Sequence, residues 1–276
     1  MTKFKGATSI KDRDVHYKIY EAHIDCTVNK FLKEYKKWMQ EGHYIDGLDK
    51  FNYLSYANGT TEVFDKFYIK HTQKRLRFFK GEYYYHNIAA REWFNNRFAF
   101  IEDENIKTND VVVVSVPFSD TGNLHKYYDK LMKECCEKKV PVLIDMAYIN
   151  LTKNFNVCLN YDCIETIATS LSKVFPVQYY RIGMRLNKEF RDDPLDAYTQ
   201  LNYVNQTSVN LGYHLISNFN NTYTYDKYVK KQKKICHELE VKPSKCVIFG
   251  IDKKNSYPYL NRGGNTNRLC FSENWS

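Results

Sequence analysis

The chain has 276 residues, 43% of them hydrophobic and 16% aromatic, and a formal net charge of +9. That composition supports a large buried core in one main domain with a small appendage. No apolar run approaches the roughly 20 residues of a membrane span, and Met1 to Lys11 lacks the apolar stretch of a secretory signal. The eight cysteines fit neither a disulfide framework nor a zinc spacing, so reduced thiols and a cytoplasmic location are expected.

Residues 1–50 read as an arm followed by a helix, with Val28, Phe31, Leu32, Tyr35 and Met39 along one face. Asn58-Gly59-Thr60-Thr61-Glu62 then precedes a helical pattern in which Val63, Phe64, Phe67 and Tyr68 share a face. Glycine and hydroxyls at a helix start suit an anion, because the first backbone N–H groups are unpaired and the dipole favours negative charge. The plainer reading of such a stretch is an N-cap.

Val111 to Pro117 is a continuous β-branched run that fits a strand buried on both faces, and Ser119-Asp120-Thr121-Gly122 turns the chain. From Leu124 to Cys136 the apolar positions follow helical spacing. Val140-Pro141-Val142-Leu143-Ile144-Asp145 is a second apolar run that stops at an acid, with Tyr148 three residues on. Strand, helix, strand implies a parallel pair with a right-handed crossover. In such a sheet ligands bind beyond the carboxyl ends of the strands, so Asp145 would face the site. A strand-ending aspartate that merely caps the next turn is the competing reading.

Ile164, Ile167 and Ala168 suit a buried strand delivering Thr169-Ser170-Leu171-Ser172-Lys173 to a loop, with Arg181 and Gly183 beyond. An imine-forming lysine must become neutral near pH 7, which burial and a neighbouring cation such as Arg181 favour. Ser170, Ser172 and Arg181 would hold a phosphate dianion. Asn218 to Thr224 is a polar break, followed by a helix over Asp226–Glu240 and strands near Cys246–Phe249 and Arg268–Ser272. The expected organisation is an arm and helix over 1–50, a cofactor domain over 51–221 and a reduced α+β domain over 222–276. Lys227, Lys230, Lys231, Lys233 and Lys234 read as a solvated helix face rather than a nucleic-acid surface.

Taken in order, these segments resemble the class I and II aminotransferases, fold type I pyridoxal-phosphate enzymes. Gly59-Thr60-Thr61 resembles the family's phosphate loop, and Pro117-Phe118-Ser119-Asp120-Thr121-Gly122 its Pro-x-Asn-Pro-Thr-Gly turn. Asp145 with Tyr148 resembles the Asp-x-x-Tyr element, and Ser170, Ser172, Lys173, Arg181 and Gly183 the lysine signature. Asn267 to Ser272 resembles the last strand, which carries a carboxylate-binding arginine. The resemblance runs from about Tyr53 to Phe271.

It implies an α/β fold, a mostly parallel sheet between helices with a reduced α+β C-terminal domain, and pyridoxal 5′-phosphate as cofactor. Lys173 would form the Schiff base and then move the proton at the substrate's Cα. Asp145 would pair with the pyridine nitrogen and Tyr148 with the ring oxygen. The Gly59, Thr60 and Thr61 backbone, Ser170, Ser172 and Arg181 would hold the phosphate. Tyr83 or Tyr85, from Gly81-Glu82-Tyr83-Tyr84-Tyr85-His86, would stack on the ring. Ser119 replaces the family's asparagine, which shortens or removes a contact to the ring hydroxyl. Arg268 would grip the substrate carboxylate, with Arg262 as its competitor. The chain is short for the family, in the arm and C-terminal region. A homodimer acting on an amino acid and a 2-oxo acid is implied. Alternatives are decarboxylation, oxidation or elimination on the same cofactor, or a binding protein that has lost turnover.

Overall fold

A computed structural model describes residue 4 and residues 6–274. Helices α1 (Arg13–Tyr20) and α2 (Val28–Gln40) open the chain, followed by β1 (Tyr44–Asp46), β2 (Tyr53–Asn58), α3 (Thr60–Lys70), β3 (Arg75–Phe78), α4 (Tyr85–Glu92) and β4 (Phe98–Phe100). Next come β5 (Asp110–Ser115), α5 (Tyr128–Glu137), β6 (Val142–Asp145), β7 (Asn156–Cys158), β8 (Ile164–Ser170) and β9 (Ile182–Asn187). Helices α6 (Pro194–Gln200), α7 (Gln206–Asn218) and α8 (Tyr223–Glu238) lead to β10 (Lys242–Pro243), β11 (Phe249–Asp252) and β12 (Asn267–Cys270).

The main sheet has the strand order β2-β9-β8-β6-β5-β3-β4. All its pairs are parallel except those of β9, which runs antiparallel to both β2 and β8. Strand and helix faces follow from side-chain alternation. Val112, Val114 and Ile144 point into one core layer with Phe31 and Leu32 of α2 and Leu131 and Met132 of α5. Val111, Val113 and Leu143 point into the other, with Val63, Phe64 and Phe67 of α3 and Ala89 and Ala90 of α4. Both faces are covered, so the central strands carry apolar residues at nearly every position. Helix α7 lies close on α2 because Gly212 leaves room for the Phe31 ring, which a Cβ would meet at 2.8 Å.

The parallel β5–α5–β6 unit read from the sequence is present. Its helix starts at Tyr128 rather than Leu124, because His125 is drawn out of helical register to stack on Phe79, ring centroids 3.7 Å apart. Cys246–Ile248 are buried but not a strand. Their backbone is used elsewhere: Cys246 N donates to Gly122 O at 3.1 Å and Val247 N to Leu151 O at 2.9 Å, so the ladder begins at Phe249. Strands β10, β11 and β12 form a small antiparallel sheet. Cys236, Val247, Phe249 and Leu269 of this last segment share one core with Ile144 and Met146. Within the lysine-rich α8, Lys227 is tied to Asp12 at 2.8 Å and Asp14 at 2.7 Å. No helix among the described residues is long and apolar enough to cross a membrane.

Candidate active site

Strands β2, β6 and β8 run in one direction and end at one edge of the sheet, and β9 starts there. Each end delivers a polar group to a single cavity, the location expected for a ligand in an open α/β sheet. Asp145 is the last residue of β6 and Ser170 the last of β8, while Thr60 and Thr61 open α3 directly after β2. These four residues line the cavity together with Tyr83, Tyr148, Ser172, Lys173 and Arg181.

The anion-binding half is built from backbone geometry. Gly59 precedes α3 with φ of 82°, a conformation that favours glycine. A Cβ on Gly59 would meet Arg181 Nη2 at 2.3 Å, and one on Gly183 would meet the Gly59 Cα at 2.7 Å, so both glycines are needed for the close approach. Arg181 Nη2 donates to Asn58 O at 3.1 Å and Thr61 Oγ1 at 3.3 Å, and its Nη1 to Gln178 O at 3.2 Å. The guanidinium is thereby held beside the α3 N-terminus. Ser172 N donates to Ser170 Oγ at 3.3 Å, while Ser172 Oγ is buried without a partner among the described residues. An unpaired buried hydroxyl is uncommon in a folded protein and is consistent with a ligand acceptor.

The other half holds the titrating groups. Lys173 lies in the turn after β8 and donates to Ala7 O at 2.5 Å. Burial lowers its ammonium pKa, with Tyr83 and Asp145 acting in the opposite sense and Arg268 in the same one. Asp145 is 4% exposed and accepts from Ala147 N at 3.0 Å. Burial pushes it up to about 7, the Ala147 N–H lowers it, and the nearby Glu82 carboxyl adds to the rise. Tyr148 sets its ring edge-on to Phe249 at 5.2 Å, and burial raises its phenol.

Not every residue singled out in the sequence reaches the cavity. Tyr83 lines it; Tyr85, the first residue of α4, does not, because its hydroxyl donates across to Asp65 Oδ1 of α3 at 2.5 Å. Ser119 is used by the fold instead: its N–H donates to Ser115 Oγ at 2.8 Å and its hydroxyl accepts from Arg262 Nη1 at 3.1 Å. Arg262 and Arg268 converge, since both donate to the Ser119 carbonyl, at 2.8 and 2.6 Å. Arg268 lies over the Phe249 ring at 4.4 Å with its Nε buried and, among the described residues, unpartnered. Both arginines bear electrostatically on Tyr148, although neither lines the cavity.

Glu82 was not read as a site residue from the sequence. Its carboxylate accepts from Ser115 N at 2.7 Å and Ser115 Oγ at 2.5 Å, and Ser115 is the ladder partner of Asp145. Burial pushes Glu82 up to about 7, with the Ser115 hydrogen bonds pulling the other way. An acid set inside the aromatic tract Gly81–His86 is the one signal that could have marked it. Nothing in the sequence marks Gln178 or the Ala7 carbonyl.

No protein-family model matches this sequence, and no curated protein is detectably similar to it. Solved structures are similar in fold. The pyridoxal-phosphate-bound C-S lyase from Staphylococcus hominis aligns at TM-score 0.72 and 11% identity over 98% of this chain and 86% of that one. Tyrosine aminotransferase from Leishmania infantum aligns at TM-score 0.71 and 9% identity over 98% and 90%. L-threonine-O-3-phosphate decarboxylase from Porphyromonas gingivalis aligns at TM-score 0.65 and 13% identity over 98% and 94%. The chain therefore has the aminotransferase-like fold type I architecture, a mostly parallel sheet between helices, that these enzymes share.

Proposed function

We propose that the chain is a pyridoxal-phosphate-dependent aminotransferase that moves an amino group between an amino acid and a 2-oxo acid. The observation that carries this reading is one cavity holding a half-buried lysine, a buried strand-ending aspartate and a helix N-terminus with serines and an arginine. These residues fit the cofactor on their own geometry. Among the described residues the Ser172 hydroxyl is unpartnered and Asp145 has one hydrogen-bond donor, the Ala147 N–H; that hydroxyl and the Gly59 cradle beneath Arg181 suit a phosphate.

When bound, pyridoxal phosphate supplies an aldehyde for covalent capture of an amine and a ring that accepts an electron pair from a broken bond at Cα. The chain's own residues do the rest. Burial lowers the Lys173 pKa and so favours the neutral amine, which would act as nucleophile and afterwards carry a proton to or from the substrate's Cα. Asp145 holds a proton on the ring nitrogen, and a cation there would draw the carboxyl back toward its ionised form. Tyr83 supplies an aromatic face, and Tyr148 a hydroxyl for the ring oxygen. Arg181, Thr60, Thr61, Ser170 and Ser172 bind the phosphate. Arg268 and Arg262, held on one carbonyl, are the candidates for a substrate carboxylate.

The same fold carries a lyase and a decarboxylase in the neighbours, so elimination or decarboxylation is the second reading. The resemblance further suggests a homodimer, which light scattering would report as twice the chain mass. The deciding experiment adds pyridoxal phosphate to the purified chain, records the visible spectrum and then supplies a panel of amino acids. Transamination predicts a visible band that bleaches with release of a 2-oxo acid. Release of carbon dioxide or of a thiol with ammonia would support the second reading, and no visible band at any cofactor concentration would refute both.

A further inference from the structure

All eight cysteines are free, yet two are not placed as independent thiols. Cys136, in the last turn of α5, and Cys163, directly before β8, hold their Sγ atoms 2.8 Å apart. That is only about 0.8 Å longer than a disulfide bond. The approach is fixed from both sides. Cys163 N donates to Cys136 Sγ at 3.4 Å, and Cys163 Sγ donates to Met132 O at 3.3 Å one turn back in α5.

Both thiols reach one surface cavity, Cys136 being the more exposed. Cys136 is half-buried and, with Cys163, Lys139, Lys188 and Arg191, lines a surface cavity of about 320 Å³. Three carboxylates, Asp162, Glu165 and Glu189, share that cavity, and Glu165 pairs with Arg191 at 3.1 Å. Cys163 is 9% exposed, and burial followed by its contact with Cys136 pushes its thiol up. The remaining cysteines nearby are committed elsewhere: Cys135 is fully buried, and Cys158 Sγ donates to Asp46 Oδ2 at 3.2 Å.

We propose that Cys136 and Cys163 are a redox-active pair that closes to an intramolecular disulfide by exchange with a small-molecule disulfide such as oxidised glutathione. Cys136 loses its proton to water, and its sulfur attacks one sulfur of the oxidant, breaking that S–S bond and expelling one glutathione thiolate. Cys163 then loses its proton and attacks Cys136 Sγ, forming the protein disulfide and expelling the second glutathione. Two protein thiols are oxidised and one glutathione disulfide is reduced to two thiols. The bond fastens the end of α5 to the start of β8, the strand whose far end carries Ser170. It closes a sequence separation of 27 residues and so restricts the unfolded chain.

The test treats the folded full-length protein with oxidised glutathione, then denatures it, alkylates the remaining thiols and maps peptides by mass spectrometry. The pair predicts six alkylated cysteines, a Cys136–Cys163 cross-link reversed by dithiothreitol, and a thermal midpoint raised by roughly 5–10 °C. C163S should leave glutathione attached to Cys136, and C158S should leave the cross-link intact. Eight alkylated cysteines, a stable glutathione adduct on the parent chain, a cross-link through any other pair, or a lowered midpoint would each overturn the proposal. Because the cross-link is read on the parent chain, the result stands even if a serine variant fails to fold.

Discussion

Two of the buried charged clusters along this sheet are built on opposite principles. At the edge near β3 and β5, Arg77 is fully buried and uses all five of its N–H donors. These reach Asp110 Oδ2 at 2.6 Å and the carbonyls of Ala99, Asn105, Phe100 and Glu104. Burial alone would raise Asp110, but hydrogen bonds from Arg75 and the Lys107 N–H, with the Arg77 charge, hold it below the usual carboxylate range. In the cavity at the ends of β6 and β8 the balance is reversed. Asp145 rises to about 7, as does Glu82 beside it on Ser115, Lys173 falls, and Ser172 Oγ has no partner among the described residues. A cluster that serves the fold satisfies its charges; one that awaits a ligand leaves groups near neutrality with donors unspent.

The largest effect expected from breaking this contrast is in the satisfied cluster. Arg77→Ala leaves Asp110 with Arg75 and the Lys107 N–H but breaks the buried Arg77–Asp110 pair and withdraws the guanidinium donors from four carbonyls, and should cost about 3–5 kcal/mol in denaturant unfolding; a loss under about 1 kcal/mol would show the cluster is not a stabilising unit. Asp145→Asn should do the opposite, holding stability at pH 7 or raising it while reducing turnover by roughly 100-fold or more. A variant that unfolds but turns over normally would invert the assignment.

The pH dependence sharpens the comparison. Asp145 and Glu82 have folded values raised above their unfolded ones, so the stability linked to them is present below about 4 and is lost as pH rises through about 7. Asp110, with a lowered folded value, contributes stability that is lost as pH falls through that value. Glu82→Gln should therefore flatten the decline between pH 4 and 7 in the cofactor-free protein, seen as a smaller fall in thermal midpoint. An unchanged slope would mean that Glu82 does not titrate there. The smallest effect is Ser172→Ala, which should leave stability within about 0.5 kcal/mol and weaken pyridoxal phosphate binding about tenfold. Equal affinity would remove Ser172 from the phosphate site.

The sequence made the strands and the ordered motifs legible because each is local: the Asp110–Ser115 run, the acid ending β6, the glycine before α3. Partner choice was not local. Tyr83 and Tyr85 sit two residues apart, and only the start of α4 decides that Tyr85 turns to Asp65. The Cys246–Ile248 run has a strand's composition, but its backbone groups are claimed by Gly122 and Leu151 far away in sequence. Glu82 becomes meaningful only when the sheet brings Ser115 alongside Asp145. The convergence of Arg262 and Arg268 on the Ser119 carbonyl was equally invisible, because three separate segments make it.

The central claim, that the cavity is built around Lys173 for pyridoxal phosphate, is tested most directly by borohydride reduction of the cofactor-treated protein followed by peptide mapping. The account predicts a single pyridoxyl-phosphate adduct on the peptide containing Lys173, absent from Lys173→Ala. An adduct on a different lysine, or none, would contradict it.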